Sequence, residues 1–259
     1  MWEPKNPKLS TVAALVRRHD RDRYATALFA PAQRRGHLFA LYAFNYEVAR
    51  IRETVREPIM GAIRLQWWRD AVGAAARGEP ARAHEVAMPL AEAITAMRLD
   101  RAEFERILRA RELDLAPRPP ETMAELEAYA TDTAGALNVL ALRALGAEGD
   151  EAARDLGAGY ALAGLLRAAP FHARTGRSYF PAEFDRAKAA RAMADAARTR
   201  LNNARGKLSG AAKPVALQAV LAEYWLDRLE RAGFDPFDPR VAAPDPWRAY
   251  RLWRAALRR

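Results

Sequence analysis

A chain of 259 residues that is 51% apolar, 29% charged and 9% aromatic can bury about three quarters of the surface its unfolded form exposes, which excludes the disordered, collagen-like and membrane-spanning classes. Forty-two Lys and Arg against 32 Asp and Glu give a formal charge of +10, favouring anionic partners: a lipid surface, a nucleic acid or a phosphorylated ligand. No cysteine is present, so thiolate nucleophiles, disulfides and cysteine-ligated metal sites are excluded.

Residues 1–8 carry two prolines and no apolar core of a secretory signal. They are expected to be a short flexible lead, neither signal nor anchor. No stretch approaches the uninterrupted apolar run of a membrane span. Apolar spacing then predicts helices over 9–18, 21–29, 31–56, 61–77, 85–98 and 100–113. Within 31–56, Leu38, Leu41, Phe44, Val48, Ile51 and Val55 form the core stripe. After Pro119-Pro120-Glu121 a second stripe runs through Leu126, Tyr129, Thr133, Leu137, Leu140 and Ala144, and Gly146 stops it. The run 156–169 is closed or kinked by Pro170, which lacks an N–H and clashes with the preceding turn. Further helices are expected at 181–209, 213–231 and 246–258. Stretches 116–120 and 233–246 read as turns. There is no alternating β pattern, internal repeat or linker, so the expectation is one all-α domain spanning 1–259.

Helix 31–56 has an informative second face of Tyr42, Asn45, Tyr46, Ala49 and Glu53. A matching strip of small residues, Gly157, Ala161, Gly164 and Ala168, leads to His172. Two such strips suit the lining of a cavity. They equally suit close helix–helix approach, with the tyrosines at a boundary.

Tyr42-Ala43-Phe44, Tyr129 with Ala134-Gly135, Leu166-Arg167, and Gly176-Arg177-Ser178-Tyr179-Phe180-Pro181 together resemble the squalene/phytoene synthase family, in order and at suitable separations. The likeness runs from about Asp20-Arg21-Asp22-Arg23-Tyr24 to the last helix. It implies an isoprenoid-synthase-like helical bundle with a central cavity, in which the family joins two prenyl diphosphates head to head. Ionising a diphosphate requires Mg²⁺ held by carboxylates, which the family supplies from two Asp-rich helical motifs.

This chain departs from both motifs. Aligning on Tyr42-Ala43-Phe44 puts Ala49, Arg50 and Glu53 at the first acidic cluster, with Tyr46 replacing a neighbouring arginine. Aligning on Leu166-Arg167 puts Ala168 and His172 at the second. Alanine cannot ligate a metal, and a guanidinium repels one. Other acids have ordinary readings: Glu121 with Glu125 and Glu151 with Asp155 at helix starts, Asp20 and Asp22 at a helix boundary. No metal site and no resident cofactor are expected. Arg167, Arg177 and Tyr179, with Arg50 adding charge, suit an anion; they equally suit salt bridges that fix the loop after Pro170. A lone His172 titrates near neutral pH unless perturbed and is more often structural.

Trp67-Trp68, framed by Arg64, Arg69 and Asp70, suits either the core or a partner surface. A similar segment occurs in the family's noncatalytic branch, which includes the mitochondrial complex I assembly factor related to phytoene synthase. In the last helix Trp247, Tyr250, Trp253 and Leu257 gather beside Arg251, Arg254 and Arg258. This pattern suits an anionic bilayer, or a docked helix with solvated arginines. Nucleic acid is not expected as a partner, because the arginines are spread and no recognition motif accompanies them. The resemblance therefore implies a noncatalytic assembly or scaffold factor, cytoplasmic and peripheral to the inner membrane. Its expected partners are a respiratory-complex subunit and a retained isoprenoid or anionic lipid. The alternative is an active prenyl-diphosphate transferase with altered metal ligation, which alone would require Mg²⁺.

Overall fold

The computed structural model describes residues 7–257 except residue 117, with side chains from residue 11 onwards. Most of the flexible lead expected at 1–8 therefore lies outside the described residues, as does Arg258. The described chain is helical without strands. Helix α1 (Pro7–His19) and the short α2 (Arg21–Ala27) precede α3 (Ala32–Ala49), α4 (Ile51–Thr54), α5 (Pro58–Ala76), α6 (Ala87–Met97) and α7 (Arg101–Glu112). Then come α8 (Met123–Ala130), a π-helical segment (Thr131–Gly135), α9 (Ala136–Ala144), α10 (Asp150–Arg167) and α11 (Ala169–Arg174). The last are α12 (Arg186–Ala204), α13 (Lys213–Arg231), α14 (Pro239–Ala242) and α15 (Arg248–Leu257).

Helix starts follow side-chain caps. Asp20, Asp100 and Asp185 each accept a backbone N–H of the helix they open. Thr122 accepts from the N–H of Glu125, whose carboxylate accepts from Glu121 N–H at 2.7 Å, a variant of the reciprocal capping box. The core stripes are those of the sequence: Leu38, Leu41, Phe44, Val48 and Ile51 are buried, as are Leu126, Tyr129, Thr133, Leu137, Leu140 and Ala144.

Several helix boundaries differ from expectation. The helix expected at 181–209 spans only Arg186–Ala204, and the stretch 233–246, expected as turns, holds the short α14. The run 31–56 is two helices, because α3 ends at Ala49 and Arg50 joins it to α4. Helix α10 starts at Asp150, after Gly149 at φ +116°, and it ends at Arg167 before Pro170 is reached. Pro170 instead sits in the first turn of α11, where a missing N–H leaves no bond unmade. A further difference is the π-helical segment within the run after residue 119. Thr131 and Thr133 hydroxyls donate back to the carbonyls of Glu127 and Tyr129, both at 2.7 Å, a pattern that bends helices.

Helix α10 forms the middle of the bundle, packed by α8, the π-helical segment, α9, α12 and α13. Helix α3 packs on α1, α6 and α9, while α5 lies on α6 and α7. The π segment crosses α10 at Gly157, where an added Cβ would run into the backbone of Ala134 and Gly135. Glycine is required there for the two backbones to meet. At Gly164 the same addition meets nothing within 4 Å, so the small-residue strip serves close packing at one end and opens at the other.

Candidate functional site

The densest polar constellation is built around Asp114, a residue in the single turn after α7 that is only 4% exposed. Its carboxylate accepts from the Tyr129 hydroxyl at 3.0 Å on both oxygens and from the Tyr179 hydroxyl at 2.8 Å. Arg111 Nη1 donates to it at 3.0 Å, and Arg177 Nη2 donates to the Asp114 carbonyl at 2.7 Å and to Oδ1 at 3.4 Å. Arg111 also donates to Tyr129 Oη and, at 3.5 Å, to Asn45 Oδ1 on α3. Two cations and two phenols thus converge on one carboxylate. Charge-assisted bonds of this kind are the strong ones.

Burial and the Asp114 charge push the Tyr179 phenol up to about 12, and burial pushes Tyr129 well above its ordinary value. Both therefore remain proton donors. His172 packs edge-on against Tyr179, ring centres 4.8 Å apart. Burial, then the Arg177 charge, lowers it to about 4. The ring is neutral at physiological pH. His172, Arg177 and Tyr179 also face a cavity of about 210 Å³ floored by Leu165, Met193 and Phe237. That is below the ~300 Å³ at which small-molecule pockets usually begin.

A second cluster lies where α2, α10, α13 and α15 meet. Arg23, almost wholly buried, is paired to Asp20 at 2.9 Å, with its guanidinium 4.7 Å from the Tyr160 ring centre and 5.8 Å from that of Tyr42. Tyr42 is fully buried and accepts a 3.5 Å bond from Gln218; burial raises its phenol far above the ordinary range. Asp22 accepts from Arg167 at 3.0 Å and Arg248 at 2.9 Å. Arg167 also stacks over Trp225 at 3.9 Å.

Other candidates from the sequence lie elsewhere. Tyr46 stacks on His19 at 4.2 Å. Arg50 pairs with Glu47 at 3.3 Å and lines a recess of about 290 Å³ with Trp67, Trp68 and His84. Ala49 ends α3 beside it, and Glu53 is exposed on α4. Ala168 is the junction of α10 and α11. Trp68 is buried edge-on to Phe44, while Arg69 is engaged by Glu105 and Glu112. Trp247, just before α15, and Tyr250, Trp253 and Leu257 on it are 67%, 53%, 54% and 63% exposed, and Leu252 is buried. Arg251 pairs with Asp245 at 3.2 Å, and Arg254 is exposed. No described helix is long and apolar enough to cross a membrane.

Sequence reasoning missed Asp114, Arg111 and the buried Arg23. The only local signal for the first two was their i, i+3 spacing, which pairs a cation and an anion on one helical face.

The residues at the two aligned acidic clusters do not fit a magnesium cluster. Ala49 and Ala168 offer no donor, Arg50 is a cation held by Glu47, and His172 is a nitrogen donor facing an arginine, which leaves the exposed Glu53 as the single carboxylate; Mg²⁺ takes oxygen ligands, several at once. Among the described residues no three His, Asp or Glu stand together as a metal site.

Residues 16–188 match the family described as squalene/phytoene synthase. NADH dehydrogenase (ubiquinone) complex I, assembly factor 6, of Bos taurus is 30% identical over 251 residues, covering 88% of this chain and 75% of that protein. Presqualene diphosphate synthase of Rhodopseudomonas palustris is 31% identical over 165 residues, 62% of this chain and 58% of that one. Among solved structures, a dehydrosqualene synthase superposes with a TM-score of 0.80 over 96% of this chain and 95% of the other, at 15% identity. That likeness is one of fold.

Proposed function

The chain belongs to the squalene/phytoene synthase family, and from that premise we propose that it is a noncatalytic member that assists assembly of the respiratory NADH dehydrogenase, complex I. The observation that carries this reading is the occupant of the arginine–tyrosine cradle. Arg111, Arg177, Tyr129 and Tyr179 each direct a donor to Asp114 of the same chain. A diphosphate entering there would have to displace a buried carboxylate from two guanidinium partners. The donor chemistry at Ala49, Arg50, Ala168 and His172 supports the same reading, because nothing at those positions would neutralise the departing pyrophosphate through magnesium. The 30% likeness to an assembly factor over most of both chains supplies the specific role.

Its partner would be a subunit of that complex, and its place the cytoplasmic face of the inner membrane. The exposed aromatic side of α15, with Arg254 beside it, supports a peripheral contact with anionic lipid. An isoprenoid or lipid retained by the fold belongs to the same reading. The competing reading, a prenyl-diphosphate transferase with altered metal ligation, draws on the likeness to presqualene diphosphate synthase.

Deletion of the gene in its native cell separates the two. The assembly role predicts loss of assembled complex I with squalene and carotenoid unchanged. Normal complex I levels would refute it, and loss of the isoprenoid product would favour the transferase.

A further inference from the structure

A large cavity lies outside the Asp114 cluster and borders the Asp22 cluster at Arg248. It is a cleft of about 1060 Å³ between α1, α2 and the start of α3, lined also by Arg248 and Ala249 of α15. Its walls are apolar: Ala13 and Ala14 from α1, Tyr24, Ala25 and Leu28 from α2 and its end, Ala32 and Phe39 from α3. Its polar lining, apart from the Tyr24 hydroxyl, is arginine: Arg17, Arg18, Arg21, Arg35 and Arg248. No carboxylate lines it.

The local acids are already committed. Asp20 is held by Arg23, and Asp22 by Arg167 and Arg248. Arg35 donates through Nε to the Ala30 carbonyl at 2.8 Å, an arrangement that uses one of its donors. Arg17, Arg18 and Arg21 are exposed and form no ion pair with any described carboxylate. A cluster of cations kept together without counter-charge beside an apolar channel is complementary to a molecule with an anionic head and a hydrocarbon tail. Free phosphate would leave the apolar walls unused, and a nucleic acid would find no exposed aromatic ladder on them.

The orientation of α15 supplies a second, independent observation. Arg248 and Ala249 line the cleft, whereas Tyr250 and Trp253 of the same helix, and Trp247 just before it, are exposed and do not line it. A bilayer touching those rings would lie against the same helix that lends Arg248 and Ala249 to the cleft.

We propose that this cleft takes one anionic phospholipid, its phosphate held by Arg17, Arg18 and Arg21 and an acyl chain laid along Ala13, Ala25, Leu28 and Phe39. The inference rests on the membrane part of the reading above and gives it a specific site, distinct from the family's central bundle. Bound lipid would tie α15 to α1 and α2 while the aromatic face rests on the surface.

The test titrates short-chain phosphatidylglycerol, below its micelle concentration, into the full chain by calorimetry. Binding is expected, and Arg17→Gln with Arg21→Gln should weaken it about tenfold to thirtyfold. Leu28→Gln should weaken it as well, through the apolar wall. All three side chains are exposed, so thermal stability should be unchanged. Equal binding by short-chain phosphatidylcholine or by inorganic phosphate would overturn the proposal, as would insensitivity to the arginine pair. Displacement of the lipid by an oligonucleotide, with the oligonucleotide bound more tightly, would overturn it too. Flotation with vesicles of phosphatidylcholine and one quarter phosphatidylglycerol keeps the two claims apart. Trp253→Ser should reduce flotation and leave the soluble-lipid titration intact; a titration lost in that variant would contradict a cleft separate from the aromatic face.

Discussion

Replacing Asp114 by Asn keeps the shape of the side chain and removes the charge that offsets Arg111 and Arg177, whose side chains are 14% and 18% exposed. Deleting one partner of a buried ion pair costs about 3–5 kcal/mol. Asn retains an acceptor oxygen and Arg177 keeps its bond to the residue 114 carbonyl, so the lower end, about 3 kcal/mol, applies. At ~2.1 cal/mol/K per residue, 259 residues have an unfolding entropy near ~0.54 kcal/mol/K, and Tm should fall by about 5–6 °C. Thermal melts followed by circular dichroism read this directly. Asp114→Ala should fall further, but with a functional signature. Its vacated cradle should bind pyrophosphate, which at a hundredfold excess over Kd restores about 2.7 kcal/mol. The parent protein, its cradle filled by its own carboxylate, should be unmoved by pyrophosphate. Stabilisation of parent and variant alike would refute the reasoning, since the cradle would then be open to outside anions.

His172 gives a pH dependence. Its folded value of about 4 lies below the ordinary 6.5, so the unfolded chain binds the extra proton first, and stability falls as pH drops from about 6.5 towards 4. The full difference would be ~3 kcal/mol, and partial exposure reduces it to about 1. His172→Gln should flatten that part of the stability profile measured by urea unfolding; an unchanged slope would place the ring in water. Gly157→Ala forces a methyl group against the Ala134 carbonyl and should destabilise by about 1–3 kcal/mol. Gly164→Ala, in the same helix with open space beside it, should be neutral or stabilising by about 0.5–1 kcal/mol. Equal losses in the two variants, measured side by side by thermal melts, would contradict the crossing at Gly157.

Local periodicity carried the fold and failed where long-range packing decided. The stripe from Leu38 to Ile51 continues in phase across Arg50, so nothing in apolar spacing marks the break between α3 and α4. The π-helical segment is likewise silent in the stripe from Leu126 to Ala144, because every stripe residue is still buried. Its trace in the sequence is the pair of threonines at 131 and 133, whose hydroxyls bond back to the preceding turn. The Asp20 cap was legible because capping is local; Asp22, read as part of the same boundary, instead joins Arg167 and Arg248, 145 and 226 residues away. Among the anion candidates, Tyr129, Arg177 and Tyr179 come together with His172 beside them, whereas Arg167 belongs to the Asp22 cluster and Arg50 to the Trp67 recess. The anion itself could not be inferred. Asp114 is 15 residues from Tyr129 and 65 from Tyr179, and only the assembled bundle reveals that the cradle is filled by its own chain.

The central claim is that this helical bundle carries no prenyl transfer, and release of pyrophosphate measures it most directly. Purified protein incubated with farnesyl or geranylgeranyl diphosphate and Mg²⁺ should release none above the uncatalysed rate. Sustained release that is abolished by Glu53→Ala would contradict the account, because a carboxylate exposed on α4 would then be serving the metal chemistry that the residues around it deny.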